Sequence, residues 1–152
     1  MLRNRFKNDL LIAMKAKDVI KVSTLRLILA AIKDRDLESR SKGTGDAVSD
    51  SVLLEILSKM VKQRLESSKV YQGAGRDDLA NAEKKEINII NAYMPKMLTV
   101  DELDKVIDDA IDHIKAKSLR DLGKVISKIK EDYSGRCDFA DVSQMIRERL
   151  EG

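Results

Sequence analysis

Apolar residues recur at every third or fourth position along most of this chain, which is the spacing that predicts amphipathic helices. The N-terminal segment carries such a stripe, formed by Leu2, Phe6, Leu10, Ala13 and Met14. A second helix is predicted after Asp18, and its run 25–32 is apolar on nearly every side apart from Arg26. A helix of that kind is expected in the middle of a bundle. The polar stretch 34–50, which contains two glycines, is predicted to be a surface loop.

A third helix is predicted to follow this loop, and either Ser49 or Asp50 can cap its N-terminus. Its inward face is predicted to consist of Leu53, Ile56, Leu57, Met60, Val61 and Leu65. Gly73 and Gly75 are expected to end it, because glycine readily takes the left-handed conformation that closes many helices.

The fourth helix is predicted to start near Asp77 and to run until Pro95, whose ring cannot continue a helix. Residues 99–102 then form a capping-box signature, and residues 118–121 form a weaker one that is expected to open the next helix. A last short helix is predicted after Asp138. These signals indicate four helices, a break at the proline and three shorter helices.

We therefore predict an all-α protein, with a four-helix domain over residues 1–95 and a small three-helix domain over residues 96–152. The composition agrees, because 43% of the residues are hydrophobic but only 3% are aromatic, and there is a single proline. The formal net charge is only +3, and the excess of basic residues lies before Pro95. This balance permits a nucleic-acid partner without requiring one.

Residues suited to catalysis or metal binding are scarce. Cys137 and His113 are the only cysteine and the only histidine, which excludes an intramolecular disulfide and argues against a metal site or a histidine-based triad. Glu83 and Glu86 are more typical of a solvated helix face paired with Lys84, Lys85 or Arg76 than of an acid–base pair. We expect no catalytic residues, no metal and no cofactor.

The chain has neither the apolar core of a signal peptide nor a run of about 18 apolar residues that could span a membrane. Its N-terminal helix is basic and amphipathic, a pattern shared with membrane-surface helices, but Asp9 and the continuity with the next helix suit core packing better. We therefore expect a cytoplasmic protein without a membrane partner.

The segment 119–138 contains a Gly-Lys pair that invites a phosphate-binding interpretation. A P-loop requires a glycine five residues before Gly123 and a hydroxyl residue after the lysine, but Ser118 and Val125 occupy those positions. No strand is predicted before the pair either. The segment is therefore predicted to be a helix rather than a nucleotide-binding loop.

On that helix, Arg120, Lys124 and Lys128 are predicted to line up at intervals of four residues, opposite an apolar face. Gly123, Ser127, Lys130 and Glu131 are predicted to lie beside them. Like charges at this spacing weaken an isolated helix, and a glycine costs roughly 1 kcal/mol relative to alanine. The face is open to two interpretations, namely an ordinary solvated side or a surface that contacts an anion or RNA.

A second set of basic residues lies on the third helix and just after it: Lys59, Lys62, Arg64 and Arg76. Glu66 follows Lys62 by four residues, so pairing within the helix accounts for part of this set. Both a structural role and a binding role remain open for it. The three tyrosines are too sparse to form a base-stacking platform.

Essentially the whole chain resembles the GatB/YqeY family. The residues that carry the resemblance are Lys59-x-x-Lys62-Gln63-Arg64, Gly75-Arg76-x-Asp78, Glu83-x-x-Glu86, Tyr93-Met94-Pro95, Asp121-Leu122-Gly123-Lys124-Val125 and Gly135-Arg136. Met94, Leu122, Cys137 and the pair 126–127 depart conservatively from the usual pattern. The resemblance implies an all-helical bacterial protein with a larger helical domain and a small three-helix domain.

It also implies a relation to the tail of the B subunit of the tRNA-dependent amidotransferase, the portion of that enzyme that contacts tRNA. The catalytic domains of that enzyme are absent from this sequence, so the resemblance does not imply an amidotransferase activity. It favours a stand-alone tRNA-binding module, accessory to tRNA amidation or translation, with no DNA partner. Amidotransferase or aminoacyl-tRNA synthetase components are candidate protein partners.

For this function, the expected phosphate contacts are Lys96, Arg120, Gly123, Lys124, Lys128, Lys130 and Arg136. The alternative is a protein–protein adaptor without RNA binding. A carbon–nitrogen ligase that uses glutamine as amide donor is a third hypothesis, and the lack of a nucleophile with an adjacent base argues against it.

Overall fold

The computed structural model describes residues 1–43 and 47–151 of the 152-residue chain. In chain order this part contains α1 (Leu2–Lys15), α2 (Val19–Ser41), α3 (Asp50–Gly73), α4 (Asp77–Asn91), α5 (Val100–Ile114), a 3₁₀ turn (Leu119–Asp121), α6 (Leu122–Tyr133) and α7 (Phe139–Glu151). No strand occurs within these residues, so the prediction of an all-α fold is confirmed.

Contacts along the chain divide it into two compact units, Met1–Met94 and Pro95–Gly152. The first contains α1 to α4 and the second contains α5 to α7. The predicted pair of separate domains stays a prediction, because such a grouping does not show that either unit folds alone.

The first unit closes around one hydrophobic core to which all four of its helices, or their immediate ends, contribute. Its buried side chains are Phe6, Ala13, Leu25, Ile28, Ile32, Leu53, Leu57, Met60, Ile90 and Tyr93. Two residues predicted to face inward, Met14 and Leu65, are instead 46% and 47% exposed. Neighbouring positions on the same helices, Ala13 and Ser68, are buried, so these two side chains lie at the edge of the buried face.

Helix α2 differs from its prediction in two ways. Its apolar run is not buried on every side, because Leu27 is 46% exposed whereas Leu25 and Ile28 are fully buried. The helix also continues to Ser41, through the first half of the predicted loop. Asp36 favours this extension, since its carboxylate accepts two hydrogen bonds from the Arg3 guanidinium, at 2.7 and 2.8 Å. Residues 44–46 of the predicted loop lie outside the described residues.

Local capping confirms three of the predicted helix starts. The side chains of Asp18, Ser49 and Thr99 accept hydrogen bonds from backbone N–H groups in the first turns of α2, α3 and α5. Gly75, with φ of +72°, follows the end of α3 in the left-handed conformation expected there. Helix α4 ends at Asn91, one turn before the predicted stop.

The second unit has its own hydrophobic core, built from α5, α6, α7 and the turn before α7. The buried residues are Ile107, Ala110, Val125, Ile129, Cys137, Val142 and Ile146. This core fixes which sides of α6 are left for the solvent, and the candidate site lies on those sides.

Candidate nucleic-acid interface

The start of α6 differs from the predicted continuous helix. Residues Leu119–Asp121 form a 3₁₀ turn, and the α-helix begins only at Leu122. Ser118, the predicted cap, makes no side-chain capping hydrogen bond. Instead, the Asp121 carboxylate accepts a hydrogen bond of 3.0 Å from the Lys117 N–H, and this bond is the main cause of the lowered pKa of Asp121. Because of this tight turn, Arg120 precedes the α-helix. It therefore does not lie one α-helical turn before Lys124, contrary to the prediction from the sequence.

Arg120 and Lys124 are both exposed, on either side of this junction. Within residues 1–43 and 47–151, neither has a carboxylate ion-pair partner within 4.0 Å. Gly123 is exposed beside them, and a Cβ atom added there would meet nothing within 4 Å. Packing inside the chain therefore does not require glycine at this position. The three residues form an open, cationic surface, which we call the α6 start.

Lys128 lies farther along α6 and is balanced by acidic groups. Its ammonium nitrogen is 3.5 Å from a carboxylate oxygen of Glu131. It also lines a groove of about 210 Å³ together with Asp109, His113 and Asp132. These carboxylates reduce the positive potential that Lys128 can offer to a phosphate.

Lys130 is directed to another side of α6. Its ammonium group lies 5.2 Å from the centre of the Phe139 ring, on α7. Positions two apart on a helix differ by about 200°, so Lys128 and Lys130 cannot contribute to one narrow face. Two of the predicted phosphate contacts, Lys128 and Lys130, are thus on different sides of the helix.

Arg136 and Lys96 are brought together by the turn that follows α6. The Arg136 Nε–H donates a hydrogen bond of 3.0 Å to the Lys96 carbonyl, and the Leu98 N–H donates one of 2.7 Å to the Arg136 carbonyl. The Arg136 guanidinium also lies 5.6 Å from the centre of the Tyr133 ring. Arg136 therefore holds the segment before α5 against this turn, while the Lys96 side chain is left exposed.

Of the acidic neighbours of Lys128, the sequence placed Glu131 beside the basic residues, whereas Asp109 and Asp132 were missed. The Glu131 contact has a signal in the sequence, because positions three apart adjoin on a helix. Asp109 reaches the same groove from α5, and no local pattern could have found it.

Within the second set of basic residues, on α3 and just after it, Arg64 has a structural role. Its Nε–H donates to the Glu86 carboxylate at 2.8 Å, its guanidinium also bonds the Met60 carbonyl, and its side chain is only 13% exposed. This pair joins α3 to α4 and corrects the expectation that Glu86 would be matched by Lys84, Lys85 or Arg76. Arg76 bonds the carboxylate of Asp78. Lys59 and Lys62 are exposed.

Other chemical features of the described chain are limited. Among residues 1–43 and 47–151, no group of three or more histidine, cysteine, aspartate or glutamate side chains is arranged to hold a metal ion. In the same residues, no helix combines the length and apolarity needed to cross a membrane. Burial raises the pKa of the Cys137 thiol to about 11. What the α6 start can do chemically is pair its two cations with the oxygens of an anionic ligand.

Comparison with known protein families gives a match over nearly the whole chain. The family described as Yqey-like protein matches residues 3–150. The chain belongs to the YqeY-like family. That match confirms the YqeY part of the resemblance seen in the sequence.

Several similar curated proteins are named "Altered inheritance of mitochondria protein 41, mitochondrial", among them the following three. The protein from Clavispora lusitaniae is 33% identical over 86% of this chain and 75% of its own length. Those from Candida glabrata and Eremothecium gossypii are 36% and 43% identical, over 72% and 58% of this chain. The matches span only 58% and 46% of the latter two proteins. All three are yeast proteins with mitochondrial names, so they do not support the bacterial, cytoplasmic setting expected from the sequence.

Proposed function

We propose that this YqeY-like protein is an RNA-binding module that holds tRNA phosphates at the α6 start. The single observation that supports this most is that, among residues 1–43 and 47–151, Arg120 and Lys124 are exposed with no carboxylate within 4.0 Å of their charged groups, beside a glycine with open space around it. Arginine and lysine bound to phosphates position an RNA without reading its sequence. Recognition by a helical protein would then depend on RNA shape.

The identity of the RNA rests on the resemblance to the tail of the amidotransferase B subunit. We propose that the protein assists tRNA amidation or another step of translation and has no amidation chemistry of its own. In this proposal the units before and after Pro95 act as two domains, with the RNA contacts in the second. The mitochondrial names of the yeast relatives favour translation in an organelle as the setting.

Within the proposed site, Arg120, Gly123 and Lys124 are the central contacts, and Lys96 is an exposed flanking cation. Lys128 and Lys130 are weaker candidates, because they already contact Glu131 and Phe139. Arg136 contributes mainly by fixing the Lys96 segment through its backbone hydrogen bonds.

The test is the affinity for tRNA, measured by fluorescence anisotropy over a range of salt concentrations. The variant Arg120→Glu/Lys124→Glu is expected to bind weakly, with a slope of log affinity against log salt that is smaller by roughly 2, about one for each lost phosphate contact. The matched control is Lys105→Glu/Arg147→Glu, which makes the same change in charge at exposed positions of α5 and α7. If the wild type does not bind tRNA at low salt, or if both variants lose affinity equally, the proposal is wrong.

A protein–protein adaptor is the second candidate function. It is favoured by three exposed apolar residues of the second unit, Met97, Val100 and Leu119, which are 53%, 73% and 45% exposed. An adaptor would retain its protein partners after nuclease treatment of a lysate, and substituting these residues with aspartate would release them. An RNA-binding module would lose its associated partners when the RNA is digested.

A further inference from the structure

The end of the α1–α2 hairpin is the most exposed apolar part of the first unit. Nine of the ten residues from 11 to 20 are exposed, the exception being Ala13 at 2%. Five of the exposed residues have large apolar side chains: Leu11 at 59%, Ile12 at 63%, Met14 at 46%, Val19 at 77% and Ile20 at 40%. Such a concentration within ten residues is unusual for a surface that contacts only water.

These side chains surround the end of the hairpin and do not form one flat face. Leu11 and Ile12 are consecutive on α1, so their directions differ by about 100°. On α2, Val19 lies on the side opposite the buried Ile28, by the same helical spacing. A rigid partner surface could cover only one of these sides. A fluid lipid interface can close around all of them.

The charges of the hairpin end favour an anionic surface. Lys15, Lys17 and Lys21 lie among the apolar residues, and the only acidic residue between 11 and 21 is Asp18. The Asp18 carboxylate accepts a hydrogen bond of 3.2 Å from the Lys21 N–H at the start of α2, so it is engaged in capping that helix. Exposed apolar side chains mixed with lysines match the boundary between acyl chains and anionic headgroups.

In contrast to the absence of a membrane partner expected from the sequence, we propose that the hairpin end, residues 11–21, binds peripherally to bilayers containing anionic phospholipids. The five apolar side chains enter the headgroup region, and the lysines contact lipid phosphates. The last turn of α1 and the first turn of α2 each extend about 5 Å along the helix axis, which is comparable with the usual depth of interfacial insertion. An RNA backbone could satisfy the lysines but not the apolar side chains. The site is distinct from the α6 start.

Co-sedimentation with vesicles tests this site. The wild type is expected to bind vesicles of one part phosphatidylserine to two parts phosphatidylcholine at low salt, and not vesicles of phosphatidylcholine alone. The variant Ile12→Asp/Val19→Asp is expected to reduce the partition coefficient by at least about tenfold, since it puts two carboxylates among the headgroups. Lys15→Glu/Lys17→Glu is expected to have a similar effect that diminishes as salt is added.

The matched control is Leu65→Asp/Val70→Asp, which changes two exposed apolar residues of α3, at 47% and 70% exposure, that are not part of residues 11–21. It is expected to bind vesicles like the wild type. All changed side chains are exposed, and circular dichroism checks that each variant is folded. A wild type that does not co-sediment with anionic vesicles, or an Ile12→Asp/Val19→Asp variant that still does, would overturn the proposal.

Analytical ultracentrifugation tests the alternative that a second copy of the chain binds to the hairpin end. A wild-type dimer that becomes monomeric in Ile12→Asp/Val19→Asp would assign this surface to self-association and also overturn the lipid proposal. The Arg120→Glu/Lys124→Glu variant is expected to retain vesicle binding. Lipid binding and RNA binding can therefore fail separately.

Discussion

The Tyr93 hydroxyl donates a hydrogen bond of 2.5 Å to the carboxylate of Asp9, a residue 84 positions earlier in the chain. The same ring packs edge-on against Phe6, with 4.9 Å between ring centres, and the Arg5 guanidinium lies over it at 4.8 Å. These contacts fasten the segment after α4 to α1. They give a physical reason for the tyrosine in the Tyr-Met-Pro motif. Its ring packs in the hydrophobic core, and its hydroxyl donates a hydrogen bond to the Asp9 carboxylate.

Tyr93→Phe is expected to lower the free energy of unfolding by about 1–2 kcal/mol at neutral pH. The ring contacts remain, but the hydrogen bond is lost and the partly buried Asp9 carboxylate loses its donor. Urea denaturation measures the change. Asp9→Asn, which keeps a possible acceptor, is the control and is expected to cost less. A Tyr93→Phe protein as stable as the wild type would show that the hydrogen bond contributes nothing.

The same tyrosine predicts a dependence of stability on alkaline pH. Burial, together with the Asp9 hydrogen bond, raises the pKa of Tyr93 above its ordinary value of 10.0. Because the folded-state pKa is the higher one, this contribution is complete below pH 10 and is lost as the pH rises further. The difference in unfolding free energy between wild type and Tyr93→Phe should therefore shrink above pH 10. A constant difference would contradict this assignment.

The Asp36–Arg3 ion pair predicts a dependence of protein stability on acidic pH. The hydrogen bond from the Arg3 guanidinium is the main reason that the pKa of Asp36 lies below its ordinary value of 3.8. Its stabilising contribution is therefore present above pH 3.8 and is lost as the pH falls through the lower, folded-state pKa. Asp36→Asn is expected to cost about 1–2 kcal/mol at neutral pH and progressively less in acid. Thermal unfolding between neutral and acidic pH measures this, with the exposed Asp34→Asn as control.

Substitution of Arg64 tests whether this cation has a structural role or binds RNA. Arg64→Met is expected to destabilise the protein by about 1–2 kcal/mol, because Glu86 loses its partner at the α3–α4 contact. Its affinity for tRNA should stay close to that of the wild type. Lys62→Met, at an exposed position of the same helix, is the stability control and should change little. A large loss of tRNA affinity in folded Arg64→Met protein would show that the second basic set binds RNA after all.

Gly123 offers a test in which stability and binding change in opposite directions. Gly123→Ala is expected to raise the free energy of unfolding by up to about 1 kcal/mol, since the position is helical and an added Cβ meets nothing within 4 Å. If a phosphate backbone approaches α6 closely there, the added methyl group should weaken tRNA binding. Anisotropy and urea denaturation of the same preparation measure both effects. Ser127→Ala, at an exposed position one turn later, controls for the change in side chain. Unchanged affinity would exclude a close approach at Gly123.

Much of the fold follows from local signals in the sequence. Amphipathic spacing identified the helices of both units, and Asp18, Ser49 and Thr99 marked three of their starts through capping chemistry that operates within a single turn. Glycine at position 75 marked the end of α3 for an equally local reason, its tolerance of positive φ.

The candidate site could be predicted only in outline. Arg120, Lys124 and Lys128 are regularly spaced in the sequence. However, the Asp121 N–H donates a hydrogen bond of 3.0 Å to the Ser118 carbonyl, which closes a 3₁₀ turn and removes Arg120 from that spacing. Carboxylates on α5 and α6 then surround Lys128. The charge balance of Lys128 thus depends both on Glu131 of its own helix and on Asp109, which α5 contributes.

The sequence by itself thus determined the helical class, most helix boundaries and the set of cations from which a binding surface could be built. Only the tertiary structure decided that Arg64 forms an ion pair with Glu86 and that Tyr93 donates a hydrogen bond to Asp9. It also decided that the apolar end of the α1–α2 hairpin stays exposed. The physical reason is range: capping and helical spacing depend on neighbours within a turn, whereas pairing and burial depend on residues that packing brings together from distant parts of the chain.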